Sequence, residues 1–196
     1  SSTSALDRGK LVHNCIVSRS LESSTVVGSS LIDMYIKCNS TEDAYRVFEL
    51  LPRHDVVTWS AMIAGFIYQG KAQDAVKLSQ KMRLERMELN STTFSSILKA
   101  CSSIAAFNEG KLINADVLKS GYESDVYVAS ALIDMFANCG SLVDARRLFD
   151  RLSSKDVVVW NSIIAGCAEH SDFASALQYY EQMRREGRIQ SYTSPS

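Results

Sequence analysis

The chain repeats itself: a shift of 101 residues lays its two halves over each other without a gap. Thr25 to Phe48 falls on Val126 to Phe149, sharing Leu-Ile-Asp-Met, a cysteine at 38 and 139, and Asp-Ala at 43–44 and 144–145. The run Asp55-Val56-Val57-Thr58-Trp59 falls on Asp156-Val157-Val158-Val159-Trp160, and Ile-Ala-Gly recurs at 63–65 and 164–166. About a third of the aligned positions are identical. The long unit divides into pieces of 31 or 35 residues: 25–55, 56–90, 91–125, 126–156 and 157–191. Residues 1–24 match the tail of the third piece, with Gly9-Lys10-Leu11 over Gly110-Lys111-Leu112, and 192–196 begin another piece. On this reading residues 1–196 form a single array cut from a longer one.

Each piece carries apolar residues at helical spacing: Leu31, Ile32, Met34 and Tyr35, then Ala44, Val47 and Phe48 in the first; Trp59, Met62, Ile63 and Phe66, then Ala75, Val76 and Met82 in the second. The pattern predicts a helical hairpin per piece. Gly70 and Gly140 fall in the intervening turns, and Ser40 to Asp43 and Ser141 to Asp144 resemble capping boxes with Asp in place of Glu. A hairpin this short cannot bury its apolar stripe alone, so neighbours must stack. The expected fold is all-α, an α-solenoid of stacked helix-turn-helix repeats winding as a right-handed superhelix, with about eleven helices and no strands. Trp59 and Trp160 belong to its core.

A net charge of −1 gives no global field to hold a polyanion, so any nucleic acid must bind along a local groove. Five cysteines without a CxxC spacing argue against a disulfide framework and a tetrahedral zinc site; they read as reduced, mostly buried side chains. No apolar run has the length of a membrane span, and a soluble chain is expected. His13, His54 and His170 stand apart and read as surface residues. Neither a phosphate-binding GxxxxGK nor a GxSxG elbow is present, and no enzyme activity, metal or cofactor is expected.

The runs DVVTWSAMIAG (55 to 65), DVVVWNSIIAG (156 to 166), SSLIDMYIKC (29 to 38) and SALIDMFANC (130 to 139) closely resemble the land-plant pentatricopeptide repeats, and the mixed lengths are similar to the PLS subclass. In that frame 25–55 and 126–156 are S motifs, 56–90 and 157–191 P motifs, 91–125 an L motif, 1–24 a partial L motif and 192–196 the start of a truncated one. The resemblance implies single-stranded RNA binding, one nucleotide per repeat, read by the fifth and last residues of each motif. Those pairs are Ser29 with Asp55, Ser60 with Asn90, Ser95 with Asp125, Ser130 with Asp156, and Asn161 with Ser191. By the family's pairing rule Ser with Asp implies guanine, Ser with Asn adenine and Asn with Ser cytosine; L motifs often read poorly, and the implied footprint is G-A-N-G-C. Second-position residues, here Val26, Val57, Thr92, Tyr127 and Val158, would flank the bases.

Stability offers rival explanations for some of these residues. All five last-position residues precede a helix and are good N-caps, each worth roughly 1 kcal/mol. The second-position side chains could equally pack on the preceding hairpin. Small polar residues inside a helix, as at the fifth positions, are harder to attribute to stability. Basic residues such as Lys81, Arg83 and Arg86, or Arg184, Arg185 and Arg188, read as solvated faces. The P motifs depart from the family's Gly-x-x-Pro ending: Arg86 to Asn90 lacks both residues and Gly187 to Ser191 lacks the proline, which predicts looser turns.

Many PLS proteins carry a cytidine-deaminase domain with HxE and CxxC motifs; neither is found here. The resemblance therefore implies a specificity module for organellar RNA processing, C-to-U editing foremost, in a plastid or mitochondrion, with an editing cofactor protein or separate deaminase as partner and no membrane. The alternative is a protein–protein scaffold, which exposed Leu112 and Ile113 would favour. Cut ends would expose an apolar helix face and promote self-association.

Overall fold

Residues 2–21 and 24–187 are described by a computed structural model. Eleven helices and no strand occur among them: α1 (Ser2–Val17), α2 (Thr25–Lys37), α3 (Thr41–Leu50), α4 (Val56–Tyr68), α5 (Ala72–Leu84), α6 (Ser91–Ser103), α7 (Phe107–Ser120), α8 (Val126–Asn138), α9 (Leu142–Arg151), α10 (Val157–Glu169) and α11 (Phe173–Arg185). In each of the five hairpins from Thr25 onward, the second helix starts sixteen residues after the first. The 31- and 35-residue spacings differ in the second helices: α3 and α9 have ten residues, α5 and α11 thirteen, and α7 fourteen. The missing length is about one turn. At the end of α3, Leu51 is extended ahead of Pro52, as a residue before proline prefers, and its side chain is buried.

The same three-residue turn joins the helices of every hairpin. Its middle residue is left-handed: Asn39, Gly70, Ala105, Gly140 and Ser171, with φ between 51° and 83°. Its third residue donates its N–H to a carbonyl five residues back, as Ser40 to Tyr35, Lys71 to Phe66 and Asp172 to Cys167 do. The same geometry closes α5, where Arg86 (φ 55°) stands where Gly187 (φ 70°) stands after α11 and Met87 N–H reaches Met82 O. The looser P-motif turn predicted at Arg86 is therefore not found; an arginine accepts the left-handed conformation instead.

Capping at Ser40 and Ser141 also differs from expectation. Both are N-caps, but neither side chain bonds a backbone N–H. Each hydroxyl donates to the carboxylate three residues on, Ser40 to Asp43 (2.9 Å) and Ser141 to Asp144 (2.6 Å). Asp is one methylene shorter than the Glu of a true box, and its carboxylate engages the hydroxyl rather than the N-cap amide.

The chain divides into two compact units, residues 1–100 and 101–196. In the first, α2 packs on α3 and α4, α4 on α5, and the core is built on Ile32, Trp59, Met62, Ile63 and Met82. In the second, α8 packs on α9 and α10, α10 on α11, around Leu132, Phe149, Trp160 and Ile163. Phe48 meets Trp59 edge-on at 4.8 Å and Phe149 meets Trp160 at 4.7 Å, so both tryptophans are core residues. His13 and His54 are half-buried and bonded rather than free on the surface. His13 Nδ1 lies 2.8 Å from Tyr35 Oη, and His54 stacks on Phe48 with Nε2 2.7 Å from Phe48 O. All five cysteines are unpaired; Cys101 and Cys167 are buried and Cys15 is exposed.

Candidate nucleic-acid interface

The last-position residues cap helices wherever they are described. Asp55 Oδ1 accepts from Thr58 N–H (2.8 Å), Asn90 Oδ1 from Thr93 N–H (2.9 Å), Asp125 Oδ1 from Tyr127 and Val128 N–H (3.0 Å each), and Asp156 Oδ1 from Val158 N–H (3.0 Å). Ser191 lies outside the described residues. Capping consumes one oxygen only, and it fixes the orientation of what remains. Only the oxygen of an amide accepts a backbone N–H, so Asn90 turns its Nδ2, a donor, away from the cap, whereas the aspartates turn away Oδ2, an acceptor. Asp55, Asn90 and Asp156 are exposed and Asp125 is half-buried.

The fifth-position serines return their hydroxyl protons to their own helix: Ser29 to Val26 O, Ser60 to Val56 O, Ser95 to Ser91 O and Ser130 to Tyr127 O. Such back-bonding satisfies the donor locally and leaves lone pairs to accept. Ser29, Ser60 and Ser95 are half-buried, Asn161 is exposed, and Ser130 is buried at 7% exposure. The second-position side chains are exposed rather than buried: Val26 is 75% exposed, Val57 63%, Tyr127 70% and Val158 42%, and Thr92 is exposed too.

In one hairpin the fifth and last residues are wired together. Ser60 Oγ lies 2.6 Å from Thr93 Oγ1, which donates to Asn90 Oδ1 at 2.8 Å. With Thr93 donating to Asn90, the proton between Ser60 and Thr93 comes from Ser60, shared with Val56 O. Thr93 is 1% exposed and sits on the following helix, outside the 56–90 motif whose pair it joins, so the motif positions alone do not point to it. Thr58 likewise donates to Asp55 Oδ1, at 3.0 Å; its equivalents in the second unit, Val128 and Val159, have no hydroxyl.

No group of three or more metal-binding side chains occurs among the described residues, and none of their helices is long and apolar enough to cross a membrane. On α7, Leu112 is 49% exposed but Ile113 is fully buried, so half of the anticipated apolar patch is core.

Comparison with known proteins gives matches along most of the chain. The PPR repeat family profile matches residues 54–103, and the PPR repeat profile matches 29–56, 127–157 and 158–188. The pentatricopeptide repeat-containing protein CRR2, chloroplastic, of Arabidopsis thaliana is 38% identical over 93% of the chain. The putative pentatricopeptide repeat-containing protein At3g13770, mitochondrial, of the same plant is 36% identical over 95% of it. The chain spans 28% and 30% of those two relatives. Among solved structures, PPR10 in complex with an 18-nt psaJ RNA element aligns with 92% of the chain and 28% of its own, at 16% identity and a TM-score of 0.65, which shows a common α-solenoid fold.

Proposed function

The chain belongs to the pentatricopeptide repeat family, and on that premise we propose that it reads single-stranded RNA at one nucleotide per hairpin. The observation that carries this reading is the Ser60–Thr93–Asn90 chain, which holds the two residues of one pair in a defined donor and acceptor state. Ser60 offers lone pairs and Asn90 offers an N–H. Together they complement the Watson–Crick edge of adenine, which donates from its amino group and accepts at N1. An aspartate in Asn90's place offers an acceptor, which suits the N1–H of guanine. The exposed second-position side chains, apolar in four hairpins of five, would flank the bases.

In this reading the footprint is G-A-N-G-C, with Ser29 and Asp55, Ser60 and Asn90, Ser130 and Asp156, and Asn161 and Ser191 as the reading pairs and Ser95 with Asp125 contributing least. The chain is the non-catalytic specificity segment of a PLS-type protein, and it positions a plastid or mitochondrial transcript for C-to-U editing by a deaminase that is another domain or partner. One relative is chloroplastic by name and another mitochondrial, which supports an organelle of either kind.

The test is a titration of fluorescent single-stranded RNA containing GAAGC against GGAGC, for the wild type and Asn90→Asp. Asp caps as well as Asn, so the variant keeps its stability while its preference at the second base moves from adenine to guanine. An unchanged preference would reduce Asn90 to a cap. No selective binding by either protein would favour the scaffold alternative, for which exposed Leu112 and Leu118 on α7 are the remaining support.

A further inference from the structure

The second helices of the first two hairpins, α3 and α5, enclose a groove of about 570 Å³. Its floor is apolar: Phe66 and Leu78 are buried and Tyr45 is half-buried beside them. Its rim is basic, with Arg46, Lys71, Lys77 and Lys81 against Glu42 and Asp74, an excess of positive charge on a chain whose net charge is −1. Thr41 lines it too, 2% exposed, and its hydroxyl oxygen has no hydrogen-bond partner.

The internal repeat supplies the comparison. At the shift of 101 residues Thr41 becomes Leu142, Lys77 and Lys81 become Gln178 and Gln182, and Tyr45 and Lys71 become Arg146 and Asp172. Arg146 and Asp172 pair directly across α9 and the start of α11. The equivalent place in the second unit is thus spanned by an ion pair, has lost its hydroxyl and has exchanged three lysines for one arginine. The scaffold of the hairpin does not require an open basic groove; the first pair has one because of its side chains.

We propose that this groove is a docking site for an acidic segment of a partner protein carrying a large apolar anchor. The anchor lies on Phe66 and Leu78, flanking carboxylates meet Lys71, Lys77 and Lys81, and Thr41 gains its missing hydrogen bond. A nucleobase suits the site less well, because the Tyr45 ring is already stacked against Phe48 and carries Lys81 Nζ 6.0 Å from its centroid. The site is apart from the base-reading positions, which lie on the first helices or immediately before them.

The experiment is fluorescence anisotropy with a labelled peptide, Asp-Glu-Phe-Asp-Glu-Leu-Asp-Glu, beside an all-acidic peptide of equal charge and a uridine octamer as competitor. The wild type should bind the anchored peptide saturably and at least tenfold more tightly than the all-acidic one. Tyr45→Arg with Lys71→Asp installs the ion pair of the second unit and should abolish binding in a chain whose circular dichroism is unchanged. Thr41→Val should weaken binding at least tenfold at an equal or higher Tm, whereas a purely structural threonine would lower the Tm. Arg147→Ala, at the position equivalent to Arg46, should change nothing. Lack of saturable binding, equal affinity for the all-acidic peptide, retention of binding by the folded double variant, or displacement by the uridine octamer would each overturn the proposal.

Discussion

At the scale of single residues, the turns show where the fold tolerates a poor choice. Five equivalent turns require a left-handed residue, and only Gly70 and Gly140 meet that need without a steric penalty. Ala105 has no side-chain hydrogen bond to offset it, so Ala105→Gly should stabilise the chain by about 1 kcal/mol in urea denaturation. The Cys101 thiol is pushed up to about 12, by burial first and then by Glu109 nearby. Its neutral form is favoured in the fold. The resulting stabilisation is complete below the ordinary thiol value of 9.0 and declines as pH climbs toward 12. Iodoacetamide at pH 8 should therefore label exposed Cys15 in the native protein and reach Cys101 only on unfolding, as peptide mass mapping would read. Ser60 and Asn90 were legible from sequence as a pair, but the link through Thr93 was not, since it joins residues of two successive hairpins. Thr93→Val keeps the backbone cap on Asn90 and removes only that link; adenine selectivity should fall in the RNA titration with little loss of stability.

Among the helices, close approaches depend on glycines that differ in what faces them. A Cβ on Gly166 of α10 would lie 2.9 Å from the Cβ of Ala137 on α8, which cannot rotate away. On Gly110 of α7 it would meet Met135, whose thioether is flexible and can shift. Both substitutions gain about 1 kcal/mol of helix propensity. Overpacking costs about 1–3 kcal/mol where neighbours are rigid, so Gly166→Ala should be the less stable of the two by about 1–2 kcal/mol in parallel urea melts. The helices themselves were readable, because the 3.6-residue period and the repeat reinforce each other over five copies. What escaped sequence reading was local hydrogen-bond choice. Ser40 and Ser141 turn to carboxylates rather than backbone amides, and Arg86 takes a conformation usually given to glycine. These depend on one methylene or one dihedral, which periodicity does not encode.

For the molecule as a whole, the repeat determined the all-α architecture in advance, while which faces are exposed became known only from packing. Sequence alone leaves open whether the second-position valines are buried on the preceding hairpin or exposed; Val26 and Val57 are exposed, and Ile113 is core where Leu112 is not. Charge at the candidate interface then makes a prediction about binding thermodynamics. None of the second-, fifth- or last-position residues is Lys or Arg, and three are Asp, so these positions bring no cation to the phosphates. If five phosphates were neutralised, the logarithm of the RNA affinity would fall with that of salt at a slope of about −3.5, at about −0.7 per contact for single strands. Recognition by hydrogen bonds and apolar flanking should instead give a slope no steeper than about −1.5, measured by anisotropy with a GAAGC-containing RNA at a series of salt concentrations. The preference for GAAGC over a scrambled RNA should then survive higher salt, because the contacts that discriminate are not the ones that salt screens. A slope near −3.5 with selectivity lost at high salt would mean that basic residues outside these positions hold the RNA, and would remove the paired side chains from the role of readers.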